Sequence, residues 1–173
     1  AGPPMLPSAY NNNFLITQTP GYVAIYVEMI HDMRIIPIDG RSHLPANLRQ
    51  WHGDARGHWD GDTLVVETTN LRRTEANAAA VGGDPVLLRA ANGRTDDTIT
   101  VTERFTRADG DTVHYSFTIE DPTQWTRDWS GEFPFVALPS EELLYEYACH
   151  EGNYSMTNIL GGERELERTA ESQ

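Results

Sequence analysis

The sequence predicts an all-β protein, an antiparallel meander closing into a lipocalin-like barrel of about eight strands with minor helices. Two observations carry that expectation. From residue 14 onward apolar residues recur with period two, the pattern of strands buried on one face, and turn dipeptides punctuate the runs at short intervals. No segment sustains a helical period. Closure follows from the edges, because a long meander exposes unpaired strand edges unless it closes or stacks. At 173 residues the chain is one domain's worth. We read residues 1–173 as a single β-barrel domain, with 72–97 a long loop or lid and 162–173 an exposed C-terminal tail or helix.

The elements follow in order. "FLITQT" and "YVAIYVEMI" flank Pro20-Gly21 and read as a hairpin, and "MRIIPI" ends at Asp39-Gly40. "TLVVETTN" begins after Asp60-Gly61, again a hairpin signal. "TITVTERFTR" and "TVHYSFTIED" flank "ADGD" and form the clearest hairpin. "GEFPFVAL" and "LLYEYAC" complete the series, with Pro134 demoting the first to an edge or bulged strand. Helix candidates are "EANAAAV", "DPVLLRAAN" and "GERELERTAES". Residues 72 to 97 separate two strands by more than a hairpin loop, as lids, binding loops and insertions do.

Charge narrows the partners. The 26 acids outweigh 13 bases, all of them arginine, for a net charge of −13. That balance argues against the phosphate-neutralising surface of a nucleic-acid binder and against adhesion to anionic lipid. No apolar run is long enough to span a bilayer. The expected partner is therefore a small-molecule ligand or substrate, with no nucleic acid and no membrane, and with self-association open. Cys149 is the single cysteine, so no disulfide forms within these residues.

Alternation assigns side chains to faces. Ile99, Val101, Glu103 and Phe105 share one face, matched by Val113, Tyr115, Phe117 and Ile119 on the next strand. A carboxylate in an apolar row must be paired, hydrated or protonated, which makes Glu103 a candidate general acid or base. The competing reading is a buried pair with an arginine, or a bulge that turns Glu103 to solvent. In the preceding part of the chain, Val23, Ile25, Val27, Met29 and His31 share a face, so His31 at a strand end would reach a barrel mouth.

The densest chemistry lies between Arg49 and Asp62, where fourteen residues hold two tryptophans, two histidines, three aspartates and two arginines. Imidazoles beside carboxylates supply acid–base pairs or metal ligands. His58 with Asp54, and His150 with Glu151 in "YACHEGNYSM", are the proton-transfer candidates. Trp51, Trp59, Arg56, Arg104, Asn12 and Tyr154 are candidate substrate-binding residues, although a regular strand turns Arg104 away from Glu103. No HExxH, CxxC or calcium-loop spacing occurs, so no cofactor or metal is expected; a metal site, if built, would use His52, His58, His31 and His150. "DPTQWTRDW" reads as a cover for the barrel end, and the asparagine run at Asn11, Asn12 and Asn13 as turn capping.

The blocks "GPPMLPSAYNNN", "WHGDARGHWDGDTLVVETTN", "ERFTR", "DPTQWTRDW" and "YEYACHEGNY" together resemble a large uncharacterised family of exported bacterial proteins. The hallmark of that family is a G-x-W-x-G-D-T-L-V-V-x-T hairpin, matched here from Gly57 to Thr68. The resemblance covers nearly the whole chain. It implies a β-rich fold, a secreted or periplasmic location, and a chain that begins after a leader; it carries over no catalytic residues. Three functions are compatible with these features. The first is a metal-free hydrolase, lyase or isomerase using acid–base chemistry on a small polar or sugar-like molecule, with Arg56 and Arg104 holding an anionic group. The second is a non-catalytic binding protein of the same architecture. The third is a structural or assembly subunit.

Overall fold

In a computed structural model, which describes residues 3–6, 12–72, 98–123, 125–148 and 154–171, the period-two runs become two antiparallel sheets. β1 (Phe14–Thr19), β2 (Tyr22–Val27) and β3 (Asp32–Pro37) form a three-stranded sheet. β4 (Asp54–Asp60), β5 (Thr63–Thr69), β6 (Thr100–Arg107), β7 (Thr112–Glu120) and β8 (Trp129–Val136) form a five-stranded sheet in chain order. Glu103 pairs with Phe117, Phe105 with Tyr115 and Val101 with Ile119, so the inward rows expected from alternation do face the same way.

Two elements depart from expectation. "LLYEYAC" forms no strand over its described residues 143–148, and the eighth strand is instead β4, "DARGHWD". Its inward residues are Ala55 and Gly57, too small to register as an apolar row. Gly57 is small for a reason. A Cβ there would lie 2.8 Å from Ile38 Cγ2 and 3.0 Å from Ile36 Cγ2, so only glycine lets β4 approach β3 this closely. β2 also stops earlier than alternation suggests. Met29–His31 is a 3-10 turn, which takes Met29 and His31 out of the strand's inward row.

Among the described residues no ladder joins the two sheets. They meet at both margins all the same: β3 packs beside β4 at Gly57, and Phe14 of β1 lies 5.3 Å, centroid to centroid, from Phe135 of β8. Val23, Ile25 and Ile36 from the small sheet share one core with Val66, Val101, Phe105, Tyr115, Phe117 and Ile119 from the large one. Each such side chain contributes about 1.5–3 kcal/mol on full burial. Trp129 sets its ring edge-on against Phe117 and against Trp125, which closes one end of that core.

A buried ion pair crosses the core. Arg34 of β3 and Glu103 of β6 have side chains 2 % and 0 % exposed. Arg34 Nη1 donates to Glu103 Oε1 at 3.0 Å, and Nη2 donates to Oε2. The Tyr115 hydroxyl donates to Oε1 at 2.9 Å and accepts the Met5 N–H at 2.8 Å. Burial opposes the Arg34 charge, but the Glu103 carboxylate outweighs it and holds the guanidinium more firmly protonated than usual. Burial, reinforced by the Glu103 charge, pushes the Tyr115 phenol up, so it stays a hydroxyl and a donor.

β8 is an edge strand, as Pro134 implied, paired on one side with β7. α1 (Ser155–Glu171) begins earlier than the 162–173 tail expected from sequence, and its residues 155 to 170 are all exposed. No helix among the described residues is long and apolar enough to cross a membrane. The 72–97 insertion beyond Arg72, with its two helix candidates, and Cys149, His150 and Glu151 lie outside the described residues.

Removing one partner of the core ion pair strands the other. Arg34→Met should cost about 3–5 kcal/mol in urea unfolding, and Arg34→Met combined with Glu103→Leu should recover most of it. A double variant no more stable than the single would show that the pair does not act as a unit.

Candidate functional site

The residues singled out from sequence divide among several places. Glu103 sits in the core, both oxygens engaged by Arg34 and one also by Tyr115. Asp54, Arg56, His58 and Asp60 alternate along the outer face of β4, where Asp54 is taken by partners other than His58. Its Oδ2 lies 2.9 Å from His43 Nδ1 and accepts the Leu44 N–H at 2.7 Å, and its Oδ1 accepts from Arg56 Nη1 at 2.6 Å. His43 Nε2 lies 3.0 Å from Glu67 Oε1, so this imidazole is bracketed by two carboxylates. His58 is exposed one turn of the pleat further along.

Other candidates stand apart from one another. Arg104 donates to Asp60 Oδ2 at 2.7 Å on the outer face, away from Glu103. Trp59 lines an open depression with Gln18 and Arg107 at the β4–β5 turn. Asn12 lines a groove at the β1–β8 margin, where its neighbour Asn13 donates to Glu28 Oε2 at 2.6 Å and braces the start of the first hairpin. His31 is exposed in the 3-10 turn with φ +42°, and Tyr154 is exposed just before α1. Among the described residues no three His, Cys, Asp or Glu side chains converge as a metal-ligand set.

One place gathers two of them, Trp51 and His52. A cleft of about 540 Å³ opens between β3 and the segment leading into β4, lined among others by Asp32, Arg34, Arg49, Trp51 and His52. Its loop wall is held by the backbone. Gln50 N–H donates to Asn70 O at 3.0 Å, Arg72 N–H donates to Gln50 O at 2.7 Å, and Gly53 N–H donates to Gln50 O at 3.2 Å. Gly53 has φ +70°, and a Cβ there would fall 2.5 Å from Thr68 Cγ2, so the loop turns into β4 only through glycine.

His52 Nε2 pairs with Asp32 Oδ2 across the cleft. Burial works against the Asp32 charge, but the His52 and Met33 N–H hydrogen bonds prevail and lower its pKa from the ordinary 3.8. Two of the lining residues each hold a fully buried polar atom with no hydrogen-bond partner among the described residues: His52 Nδ1 and Arg34 Nε. Trp51 is 64 % exposed, and the Arg72 guanidinium lies 4.5 Å over its ring.

Sequence reading named Trp51 and His52 but missed Asp32, Arg34 and Arg49. A signal existed for Arg34, because "MRIIPI" alternates so that Arg34 and Ile36 share the inward row, an arginine to answer Glu103. Nothing local pairs Asp32 with His52, twenty residues on.

The lowered Asp32 pKa sets a direction with pH. A carboxyl held lower in the folded than in the unfolded chain stabilises above the unfolded value of 3.8 and ceases to as pH falls through the folded one. Wild type should therefore exceed Asp32→Asn in unfolding free energy at pH 6, with the gap closing below about pH 4. No family model, no curated protein and no solved structure matches this chain.

Proposed function

We propose that the cleft between β3 and the 49–53 loop binds a small polar or sugar-like molecule and acts on it by acid–base chemistry. The observation that carries this reading is the His52–Asp32 pair lining the cleft, whose second imidazole nitrogen is buried with no hydrogen-bond partner among the described residues. An Nε2–H donated to Asp32 leaves Nδ1 with a lone pair. Asp32 then fixes the ring's tautomer and orientation and stabilises the imidazolium formed when Nδ1 takes a proton from a ligand. Hydrolase, lyase and isomerase steps can all begin with such a transfer.

The barrel expectation has a place in this reading. We interpret the strand order as a lipocalin-like barrel opened at β3/β4 and β8/β1, with the cleft lying at the first opening. The resemblance to exported bacterial proteins supports a secreted or periplasmic location for this activity. Binding without turnover is a second reading, favoured by Trp51, which lines the cleft and is 64 % exposed, a face on which a ligand can stack.

Incubation with a panel of glycosides, uronates and hydroxy acids, followed by one-dimensional NMR, tests the two readings together. Turnover should be found and should fall about 10²–10⁴-fold in His52→Gln, with ligand affinity changed far less. A ligand bound but recovered unchanged supports the binding protein. Turnover unaltered in His52→Gln removes this cleft from the chemistry.

A further inference from the structure

Resting on the cleft as the ligand site, we infer that its ligand carries a flat aromatic ring, seated between the Trp51 indole on the loop side and Met33 and Ile35 on the β3 side. Met33 and Ile35 flank Arg34 along β3. Arg34 turns into the core, so they turn outward and stay 51 % and 52 % exposed. Both line the cleft, as does Trp51, the most exposed of the three. Large apolar side chains scattered singly over a surface need no explanation, but here they stand on both sides of one recess, which marks a binding site. The loop wall is a fixed platform. Arg72 N–H donates to Gln50 O at 2.7 Å, and its guanidinium lies 4.5 Å over the Trp51 ring. That contact takes one face of the indole and leaves the other for a ligand.

The polar groups of the β3 wall are already engaged, which decides between kinds of ring. Asp32 Oδ1 accepts the Met33 N–H at 2.7 Å and Oδ2 pairs with His52, while Arg34 is buried with both Nη on Glu103. A pyranose carries hydroxyls around its rim, each needing a partner once it leaves water, and Met33 and Ile35 offer none. An aromatic ring makes no such demand. It stacks offset or edge-on against the indole, and on its other side it meets a thioether and a branched aliphatic chain. Methionine sulfur is itself favoured beside an aromatic ring. The polar function that the proposed chemistry acts on is then a substituent of this ring, reaching the Asp32–His52 pair.

The test uses the full chain with ¹³C-labelled methionine and isoleucine methyls and the ¹⁵N-labelled Trp51 ring, all three read by NMR. The probes come in pairs that differ in the ring alone: phenyl β-glucoside beside methyl β-glucoside, and benzyl alcohol beside cyclohexylmethanol. An aromatic ring seated as inferred imposes ring-current shifts on the Met33 and Ile35 methyls that neither saturated probe produces. Phenyl β-glucoside should bind about tenfold or more tightly than the methyl glycoside, the gain expected from burying the ring. Benzyl alcohol should exceed cyclohexylmethanol by about threefold or more. Trp51→Ala should bring phenyl β-glucoside down to the affinity of the methyl glycoside, and Trp59→Ala, at the hairpin end, should leave it unchanged. The two glycosides binding equally, with cleft signals moving, overturn the aromatic class while the cleft stands as a ligand site. Cyclohexylmethanol equal to benzyl alcohol overturns it in the same way. Full affinity in Trp51→Ala overturns the stacking position. Cleft signals unmoved by every probe overturn the inference and the ligand site with it.

Discussion

The Arg34–Glu103 pair is the constraint on which the rest of the structure depends. Two charges removed from water each cost several kcal/mol, and mutual attraction offsets that only while both are held in register. β3 must therefore present Arg34 inward at the level where β6 presents Glu103. A slip of one residue in β3 would bring Met33 or Ile35 inward and leave the Glu103 carboxylate with the Tyr115 hydroxyl and no cation, among Val101, Phe105 and Phe117. The pair thus fixes how the small sheet sits on the large one, where among the described residues no backbone ladder does so. Tyr115 extends the same logic to the start of the described chain, since its hydroxyl joins Glu103 to the Met5 backbone.

Fold and site meet at Arg34. Its guanidinium completes the core with Glu103, while the residue itself is among those that line the cleft. The walls need support of a different kind, because the 41–53 segment has no regular structure apart from one bridge. Asn70 supplies part of it. With φ +53° it leaves the strand line, and its side chain donates to Leu44 O at 2.9 Å while its carbonyl holds Gln50. The His43–Asp54–Glu67 bracket ties the same segment down on the outer face of the large sheet. The segment is held at both ends by groups that are not themselves part of the cleft.

The strands were largely legible because their inward rows are large and β-branched, as in "YVAIYV" and "TVTERFTR". β4 was not, because close approach to β3 demands Ala55 and Gly57 where the pattern would otherwise show bulk. The polar run from Arg49 to Asp62 was legible as chemistry but not as geography. His52 belongs to the cleft, Asp54 and Arg56 to the outer network, and Trp59 and Asp60 to the hairpin end. A strand sends neighbours to opposite faces, so proximity along the chain there separates side chains in space. The partner of His52 came from the start of β3, a pairing that only tertiary packing creates.

The exposure of α1 along its whole described length gives that segment thermodynamics of its own. Seventeen residues are near the length at which an isolated helix is marginal in water, and Gly161 with Gly162 at its middle each cost about 1 kcal/mol relative to alanine. With no buried face to couple it to the sheets, its helix–coil equilibrium shifts gradually with temperature while the β core unfolds in a single step. Ellipticity at a helical wavelength and fluorescence from the core tryptophans then follow two different curves. A single melting temperature would describe the sheets and not the chain.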